Sequence, residues 1–554
     1  MKSQSLPLQE IISRIAAPKP DFEKRSPFWW GLGTMPRLNQ RWANQPILDF
    51  INYNLRGVGQ VVFVNNPLSG LLIVLALFIQ SPWIGLMSLV AVVSSTAGAI
   101  ALKLDRDSIR SGIFGYNGIL VGAALATFGL SGNGGWNLWW AIAIIIFSAL
   151  TTVIMKTFGV WWATTFKCPV LTLPFNIATL LFLILVKLIP QPLFELGKTT
   201  IATTSVTTID PTRLLASLPI GFGQVFLADK LIAGCLILLA VAICTPIGAI
   251  VGLVGAALGV VAGLILGIIP EDIYIGLWGY NSVLSAMAIG GVFYAPNLRS
   301  FAISSVCAFV TALVIPVLAA ILTKPFGLPV LTLPFCVATI GCFVLLRRFL
   351  PSLVPVVLYA VTSPEEHRQR YLVAKKTLSN FRRQLKAAMN GKSSHLLIDK
   401  ASNATKGDLR YIFEAIDTDR SGELSTRKLA NYLHQANRAT SEDELIYLFN
   451  CIDKNNSGTF NFQDFGELIL RHQRLMTEHD AFMTYFVPIY ADKNDLLSIK
   501  EMNLAMKSVS EPALTRKEID FLQQRTTHQS FTWNHNFASY LVVSCLLNRI
   551  MYRH

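Results

Sequence analysis

A seven-residue stretch occurs twice in this chain: residues 169–175 and 329–335 both read Pro-Val-Leu-Thr-Leu-Pro-Phe. Each copy opens a long apolar run, and the threonine hydroxyl is its only polar side-chain group. A threonine in an apolar helix often bonds only the backbone of its own helix. Because Thr172 and Thr332 occupy identical frames, the repeat instead favours two matched hydroxyls that face a common centre.

Other polar elements recur at a constant offset of 164 positions. A glycine-glutamine segment ends at Gln60 and again at Gln224, and a Gly-Tyr-Asn element carries Tyr116 or Tyr280, followed by Leu120 or Leu284. An ordered set of repeats with constant spacing indicates an internal duplication. A glutamine amide both donates and accepts hydrogen bonds, so these pairs could line a path for a polar molecule.

The elements that must position these residues are apolar. The chain is 52% hydrophobic and only 14% charged, which is typical of a membrane protein. Runs long enough to span a bilayer lie near 67–83, 84–103, 112–130, 137–157, 169–189, 231–247, 248–269, 272–292, 299–322 and 329–350. These runs form two sets of five, and a glycine-glutamine segment precedes each set.

Five spans per repeat is an odd number, so the second copy must cross in the opposite sense, and we predict two inverted repeats. Each glycine-glutamine segment is predicted to be a re-entrant half-helix that lines a polar path, with a plain interfacial loop as the alternative. Positive charge between the runs places both termini in the cytoplasm. The predicted location is a plasma membrane or a bacterial inner membrane, in contact with lipid.

The ten runs carry no Asp, Glu, Arg or His near their centres. Ion-coupled carriers usually need such residues, so we predict a neutral solute that moves passively. No set of catalytic groups or phosphate-binding loop occurs, so we do not expect an enzyme, and we expect no nucleic-acid partner. The eight cysteines are scattered without a disulfide or zinc-site pattern.

Several motifs together resemble the urea transporter family over roughly residues 45–365. They are Leu-Pro-x-x-Thr-x-Pro-Phe at 328–335, its near copy at 168–175, the segment Arg56–Pro67 and the Gly-Tyr-Asn elements. The resemblance implies a homotrimer with a urea channel in each protomer, where urea passes two aromatic slots around a central threonine pair. The implied lining is Gln60, Phe63, Tyr116, Leu120, Thr172, Gln224, Leu227, Tyr280, Leu284 and Thr332. Family members often carry Phe at the positions of Leu227 and the two tyrosines.

A basic amphipathic stretch at 363–394 follows, with a helix predicted from a capping box at Ser363 to about Met389. It is either a connector on the membrane surface or a target helix of the kind that calmodulin binds. We predict contact between this helix, residues 363–390, and the domain that follows it.

Residues 395–554 resemble the calmodulin family. The loop at 453–464 has the ligand spacing of an EF-hand and would bind calcium or magnesium through Asp453, Asn455, Ser457, Thr459 and Asp464. The loop that begins at Asp417 fits equally well until its last position, where Lys428 opposes metal binding. Two later loops, near 490–501 and 524–536, are degenerate.

The predicted fold is therefore all-α. It is a polytopic membrane protein of two inverted repeats, each with five transmembrane helices plus one re-entrant half-helix, followed by a soluble EF-hand domain. The predicted parts are a cytoplasmic tail (1–44), a membrane domain (45–362, with repeats 45–190 and 212–350), the connector (363–394) and the EF-hand domain (395–554). The leading hypothesis is a passive urea channel regulated by calcium. The alternatives are a channel for another small neutral solute, such as an amide or ammonia, with a metal-free interaction module, and a calcium-responsive scaffold.

Overall fold

The computed structural model describes residues 33–42, 45–130, 136–166, 168–188, 194, 209–350, 353, 363–390, 396–425, 428, 459–466, 470, 496–497, 499–525 and 531–532. Its contacts divide the chain at Arg368. We call residues Phe28–Arg368 the apolar unit and residues Gln369–His554 the C-terminal unit, and we describe each by itself.

The first half of the apolar unit is helical from Pro36 onward. Its α-helices are Pro36–Trp42, Pro46–Gln60, Pro67–Gln80, Pro82–Ala101, Arg106–Arg110, Gly115–Leu130, Leu138–Ile154, Val160–Phe166 and Leu173–Leu188, with a π-helical turn at Met155–Gly159. Several of these helices begin with proline, whose missing N–H costs nothing in a first turn.

The second half follows the same order. Its α-helices are Pro211–Gln224, Leu231–Cys244, Pro246–Ile265, Pro270–Tyr274, Tyr280–Met287, Leu298–Phe326 and Leu333–Phe349, with a π-helical turn at Ala288–Val292. Two pairs of helices matter for the site. We call Pro46–Gln60 and Pro211–Gln224 the glutamine helices, and Leu173–Leu188 and Leu333–Phe349 the threonine helices.

Within the described residues, four continuous helical segments are long and apolar enough to cross a membrane: Pro82–Ala101, Leu138–Phe166, Pro246–Ile265 and Leu298–Phe326. Three shorter apolar helices accompany them: Pro67–Gln80, Leu173–Leu188 and Leu231–Cys244. Ten crossings and inverted repeats therefore stay predictions. Each predicted half-helix is a regular helix that ends at its glutamine.

Close packing at glycine explains why both motifs contain this residue. A Cβ placed on Gly57 would lie 3.1 Å from the Cα of Gly115, and one on Gly221 would lie 3.5 Å from the Cα of Gly279. The backbone of each glutamine helix thus touches the start of the Gly-Tyr-Asn segment of its own half. Small residues allow such close helix contacts inside an apolar protein.

The described residues of the C-terminal unit form helices and two short antiparallel strand pairs. The helix Pro364–Met389 begins in the apolar unit and continues into this one, and it is followed by Leu396–Lys400, Asn403–Ile416, Ile499–Ser508 and Arg516–Arg525. Leu424 pairs with Phe460 and Ser425 with Thr459, while Leu496–Leu497 pairs with Phe531–Thr532. A short strand between two loops is how EF-hands associate in pairs.

Candidate solute pathway and cation sites

The two repeated threonines meet in the structure. The hydroxyl oxygen of Thr172 lies 2.6 Å from that of Thr332, and both residues are buried. Each threonine stands directly before its threonine helix, and its carbonyl accepts a first-turn N–H, from Asn176 or Cys336. The threonine pair is therefore a buried polar contact between the two halves.

A tyrosine fixes the residue before each threonine. The hydroxyl of Tyr116 donates to the carbonyl of Leu171 at 2.7 Å, and that of Tyr280 donates to the carbonyl of Leu331 at 2.5 Å. Both leucines have a left-handed backbone, with φ of +53° and +49°. Such a conformation is costly for a leucine and must be held by its surroundings. The tyrosines hold these two turns.

The asparagines of the Gly-Tyr-Asn elements hold the starts of the threonine helices. Asn117 Oδ1 accepts a hydrogen bond from the N–H of Phe175 at 3.2 Å, and Asn281 Oδ1 accepts one from Phe335 at 3.3 Å. First-turn N–H groups have no partner within their own helix, so these amides satisfy them. In each half, the Gly-Tyr-Asn element is thus in direct contact with the seven-residue repeat.

The two glutamines make equivalent hydrogen bonds in the two halves. Gln60 Nε2 donates to the carbonyl of Ser111 at 2.8 Å, and Gln224 Nε2 donates to the carbonyl of Ile275 at 2.7 Å. Each amide is held by its nitrogen. Both glutamines are only half-buried, and neither side-chain oxygen accepts a hydrogen bond from a residue that the structure describes.

Phe63 and Leu227 occupy matching turns that follow the glutamines. The N–H groups of Phe63 and Leu227 bond the carbonyls of Gln60 and Gln224, each at 3.1 Å. Their φ angles are +59° and +58°. This turn is a Schellman motif, whose left-handed position usually holds glycine. A large side chain there indicates a role that outweighs the backbone strain.

In the first half, the Phe63 side chain packs against two other aromatic rings. The Phe63 ring lies 5.9 Å from the Phe293 ring and 6.2 Å from the Phe335 ring, both edge to face. Sequence reasoning did not select Phe293 or Phe335.

The predicted lining residues differ in their contacts and in their exposure. The two threonines contact each other, and each tyrosine bonds the residue before its threonine. Phe63 and Leu227 are half-buried. Leu120 and Leu284 are fully buried in the apolar core, where they have no accessible surface.

A buried arginine near the first slot was also missed. Arg56 has no exposed surface, and its guanidinium donates to the Asn65 carbonyl at 2.7 Å, the Asn65 side chain at 2.9 Å and the Asn52 side chain at 3.0 Å. It therefore pins the turn that follows Phe63. The matching position in the second half is Ile220, so the second turn lacks this support. Asn52 and Asn65, which are buried beside Arg56, were the sequence signal that could have identified it.

In the C-terminal unit, the first EF-hand loop contains its own cation. Lys428 Nζ lies 2.9 Å from Asp417 Oδ1, 2.9 Å from Ser421 Oγ and 3.0 Å from the Glu423 carbonyl, and it also bonds Asp419. These oxygens stand at the loop positions that ligate calcium in an EF-hand. The ammonium thus takes the place of the metal, and the residues of this loop do not fit an ion.

The charges in this loop reinforce each other. The Lys428 ammonium is the main cause that lowers the pKa of Asp419, and the Asp419 and Asp417 carboxylates raise the pKa of Lys428. A lowered aspartate pKa contributes stability that is lost as pH falls through it, and a raised lysine pKa contributes stability that is lost as pH rises through it. The contact is therefore intact across neutral pH.

Of the predicted metal ligands, Thr459 and Asp464 are described, while Asp453, Asn455 and Ser457 lie outside the described residues. Thr459 Oγ1 donates to Glu423 Oε2 at 2.6 Å, next to the strand pair. The N–H of Asp464 donates to Asn461 Oδ1 at 3.0 Å. The first loop is thus hydrogen-bonded to Thr459, the seventh residue of the second loop.

Comparison with known proteins agrees with this division. Residues 51–347 match the family described as "Urea transporter", and residues 406–470 match the family described as "EF-hand domain pair". The chain is 38% identical over 339 residues to "Urea transporter 1" of Ovis aries, which covers 59% of this chain and 85% of that protein. It is 36% identical over 336 residues to "Urea transporter 1" of Mus musculus, which covers 60% of this chain and 86% of that protein. The chain is thus an integral membrane protein that belongs to the urea transporter family and also carries an EF-hand pair.

Proposed function

We propose that this chain conducts urea passively through the apolar unit, between two inverted halves, in each protomer of a homotrimer. The observation that carries the proposal is the threonine pair, because each half contributes one buried hydroxyl to a single polar point. Urea is small, neutral and rich in hydrogen-bonding groups. Hydroxyl and carbonyl groups that replace its water would let it cross an apolar region.

The proposed path runs from one glutamine to the other. Gln60 and Phe63 form one entrance, and Gln224 and Leu227 form the other, with Tyr116, Tyr280, Leu120 and Leu284 around the threonine pair. The matched turns and hydrogen bonds of the two halves support this arrangement. The positive charge between the apolar runs supports a cytoplasmic location for both termini.

The test of passive conduction uses purified full-length protein in lipid vesicles. Vesicles that hold a proton or sodium gradient should equilibrate radiolabelled urea and never concentrate it. The internal and external urea concentrations are compared after equilibrium is reached. Sustained accumulation that depends on either gradient would show a coupled carrier and contradict the proposal.

We also propose that calcium at 453–464 regulates the flux through the helix Pro364–Met389. Its first turn is bonded within the apolar unit: Glu365 accepts from the Ile247 N–H at 2.8 Å, and His367 Nδ1 lies 3.1 Å from the Gly291 carbonyl. Gly291 is close in sequence to Phe293, whose ring contacts Phe63. Movement of this turn would therefore reach a proposed entrance.

The later turns of the same helix are bonded within the C-terminal unit. Arg382 forms two hydrogen bonds with the Glu518 carboxylate, at 3.2 and 3.0 Å, and it also bonds the carbonyls of Pro512 and Ala513. A bidentate arginine-carboxylate pair gives a defined geometry. We propose that metal binding alters these contacts of Arg382 and thereby shifts the helix.

Asp453→Ala tests the regulatory proposal, because it removes the first ligand of the second loop. Urea flux of the wild-type protein should change between calcium and chelator, while the flux of the variant should not. Asp417→Ala is the matched control, since its loop already holds Lys428. A calcium response that survives Asp453→Ala would contradict the proposal.

One observation favours the second candidate, in which the EF-hand pair is a metal-free interaction module. The first loop is complete without an ion because Lys428 supplies the positive charge. Calorimetry on the full-length protein separates the two candidates. The absence of heat of binding at millimolar calcium and magnesium would leave the module metal-free.

A further inference from the structure

The two threonines have different neighbours one helical turn further along the chain. The residue four positions after Thr172 is Asn176, whereas the residue four positions after Thr332 is Cys336. Both are buried, with exposures of 1% and 0%. The identical seven-residue repeats end just before these positions, so the halves diverge at the first residue beyond the repeat.

The hydrogen bonds fix the orientation of the Asn176 amide. Its Nδ2 lies 2.8 Å from the Thr172 carbonyl and 2.9 Å from Thr332 Oγ1. A carbonyl only accepts hydrogen bonds, so the atom beside it must be the amide nitrogen. The two hydrogens of this nitrogen are then used by one carbonyl and one threonine hydroxyl.

This orientation leaves one strong acceptor beside the threonine pair. In the part of the chain that the structure describes, Asn176 Oδ1 is buried and has no hydrogen-bond partner. A buried amide oxygen without a partner is costly, and such groups are rare in folded proteins. Cys336 offers only a sulfur, which is a weak acceptor and lies 3.3 Å from Thr172 Oγ1.

We propose that Asn176 is a specificity-determining residue of the urea path. Its Nδ2 orients the threonine pair by donating to Thr332 Oγ1, and its Oδ1 accepts an N–H of the solute as it passes. This inference rests on the proposed conduction of urea. It predicts a preference for solutes that present an amino group to the Asn176 side.

Urea and acetamide separate the two roles, because acetamide has the same planar outline with one amino group replaced by methyl. When a methyl group faces Asn176, the Oδ1 acceptor stays unmet; an amino group there satisfies it. The wild-type protein should therefore conduct urea faster than acetamide. Removal of the acceptor should reduce this difference.

The experiment measures the flux of both solutes into vesicles that contain the full-length protein. Asn176→Leu keeps a similar volume and should lower urea flux about tenfold, a typical effect of one lost buried hydrogen bond. Acetamide flux should fall less, so the urea-to-acetamide ratio should also fall. Asn176→Cys should change the ratio in the same direction, and it introduces the residue that the other half holds at this position.

Thr179→Val is the matched control. Thr179 lies on the same helix, is fully buried and likewise has a hydroxyl without a partner among the described residues. The urea flux of this variant and its urea-to-acetamide ratio should equal those of the wild type. The inference is overturned if both Asn176 variants keep the wild-type ratio, or if they lower both fluxes equally. A wild-type protein without urea flux would instead contradict the proposed function itself.

Discussion

The apolar unit and the C-terminal unit each contain a duplicated structure, but the copies agree to different degrees. In the apolar unit, Thr172 and Thr332 meet, and both tyrosines bond the carbonyl before their threonine. In the C-terminal unit, Lys428 occupies the first EF-hand loop, whereas the second loop ends in Asp464. The two apolar copies share one site and keep the threonines and tyrosines that form it, whereas the two EF-hand loops are separate sites and differ at their last position.

The largest expected effect breaks the shared geometry of the two apolar halves. A Cβ on Gly70 would lie 1.9 Å from the Leu55 carbonyl oxygen, and one on Gly234 would lie 2.4 Å from the Pro219 carbonyl oxygen. Both clashes involve backbone that cannot move freely. Gly70→Ala and Gly234→Ala should each destabilise the protein by about 3 kcal/mol or more.

Thermal unfolding in detergent measures this effect. Gly341→Ala is the control, because nothing lies within 4 Å of the added Cβ and alanine favours a helix. Its unfolding temperature should not fall. If either of the first two variants unfolds at the wild-type temperature, the close approach of these helices is wrong.

A smaller effect tests whether the two halves act alike at the pathway. Tyr116→Phe and Tyr280→Phe each remove one hydroxyl that holds a left-handed leucine, at a cost of about 1 kcal/mol. Each should lower urea flux about fivefold, and the two effects should be similar. Stopped-flow flux gives the comparison. A large effect in only one half would show that the path is not shared equally.

The smallest expected effect sharpens the contrast with the EF-hand loops. Lys428→Glu replaces the internal cation by the carboxylate that an EF-hand carries at its last position. Calorimetry should detect one more bound calcium per chain than in the wild type. Lys517→Glu makes the same charge change on an exposed helix and should add none. Equal calcium numbers in both variants would mean that Lys428 does not replace a metal.

The repeated motifs could be predicted from the sequence because both members of each pair occur in it. Thr172 and Thr332, Tyr116 and Tyr280, and the ammonium at Lys428 needed only spacing and chemistry. The partners of those residues were harder to find. That each tyrosine bonds the leucine before its threonine depends on which helices touch, which no local pattern states.

The features that distinguish the two halves were not predicted from the sequence. Arg56 lies outside the apolar runs, so its position in the sequence does not indicate that it is fully buried. Phe293 follows a π-helical turn and meets Phe63 only through tertiary packing. Asn176 lies just outside the repeated seven residues, so the repeat itself does not point to it. Its importance lies in being different from Cys336.

The central claim is that urea passes beside the paired hydroxyls of Thr172 and Thr332, and stopped-flow shrinkage of vesicles in a urea gradient tests it most directly. Thr172→Val and Thr332→Val keep the side-chain shape and remove one hydroxyl each. Each should reduce urea flux about tenfold, since urea would cross the centre with an unmet hydrogen bond. Water flux through the same lipid vesicles serves as the internal control. Wild-type urea flux in both variants, with the protein folded, would contradict the account.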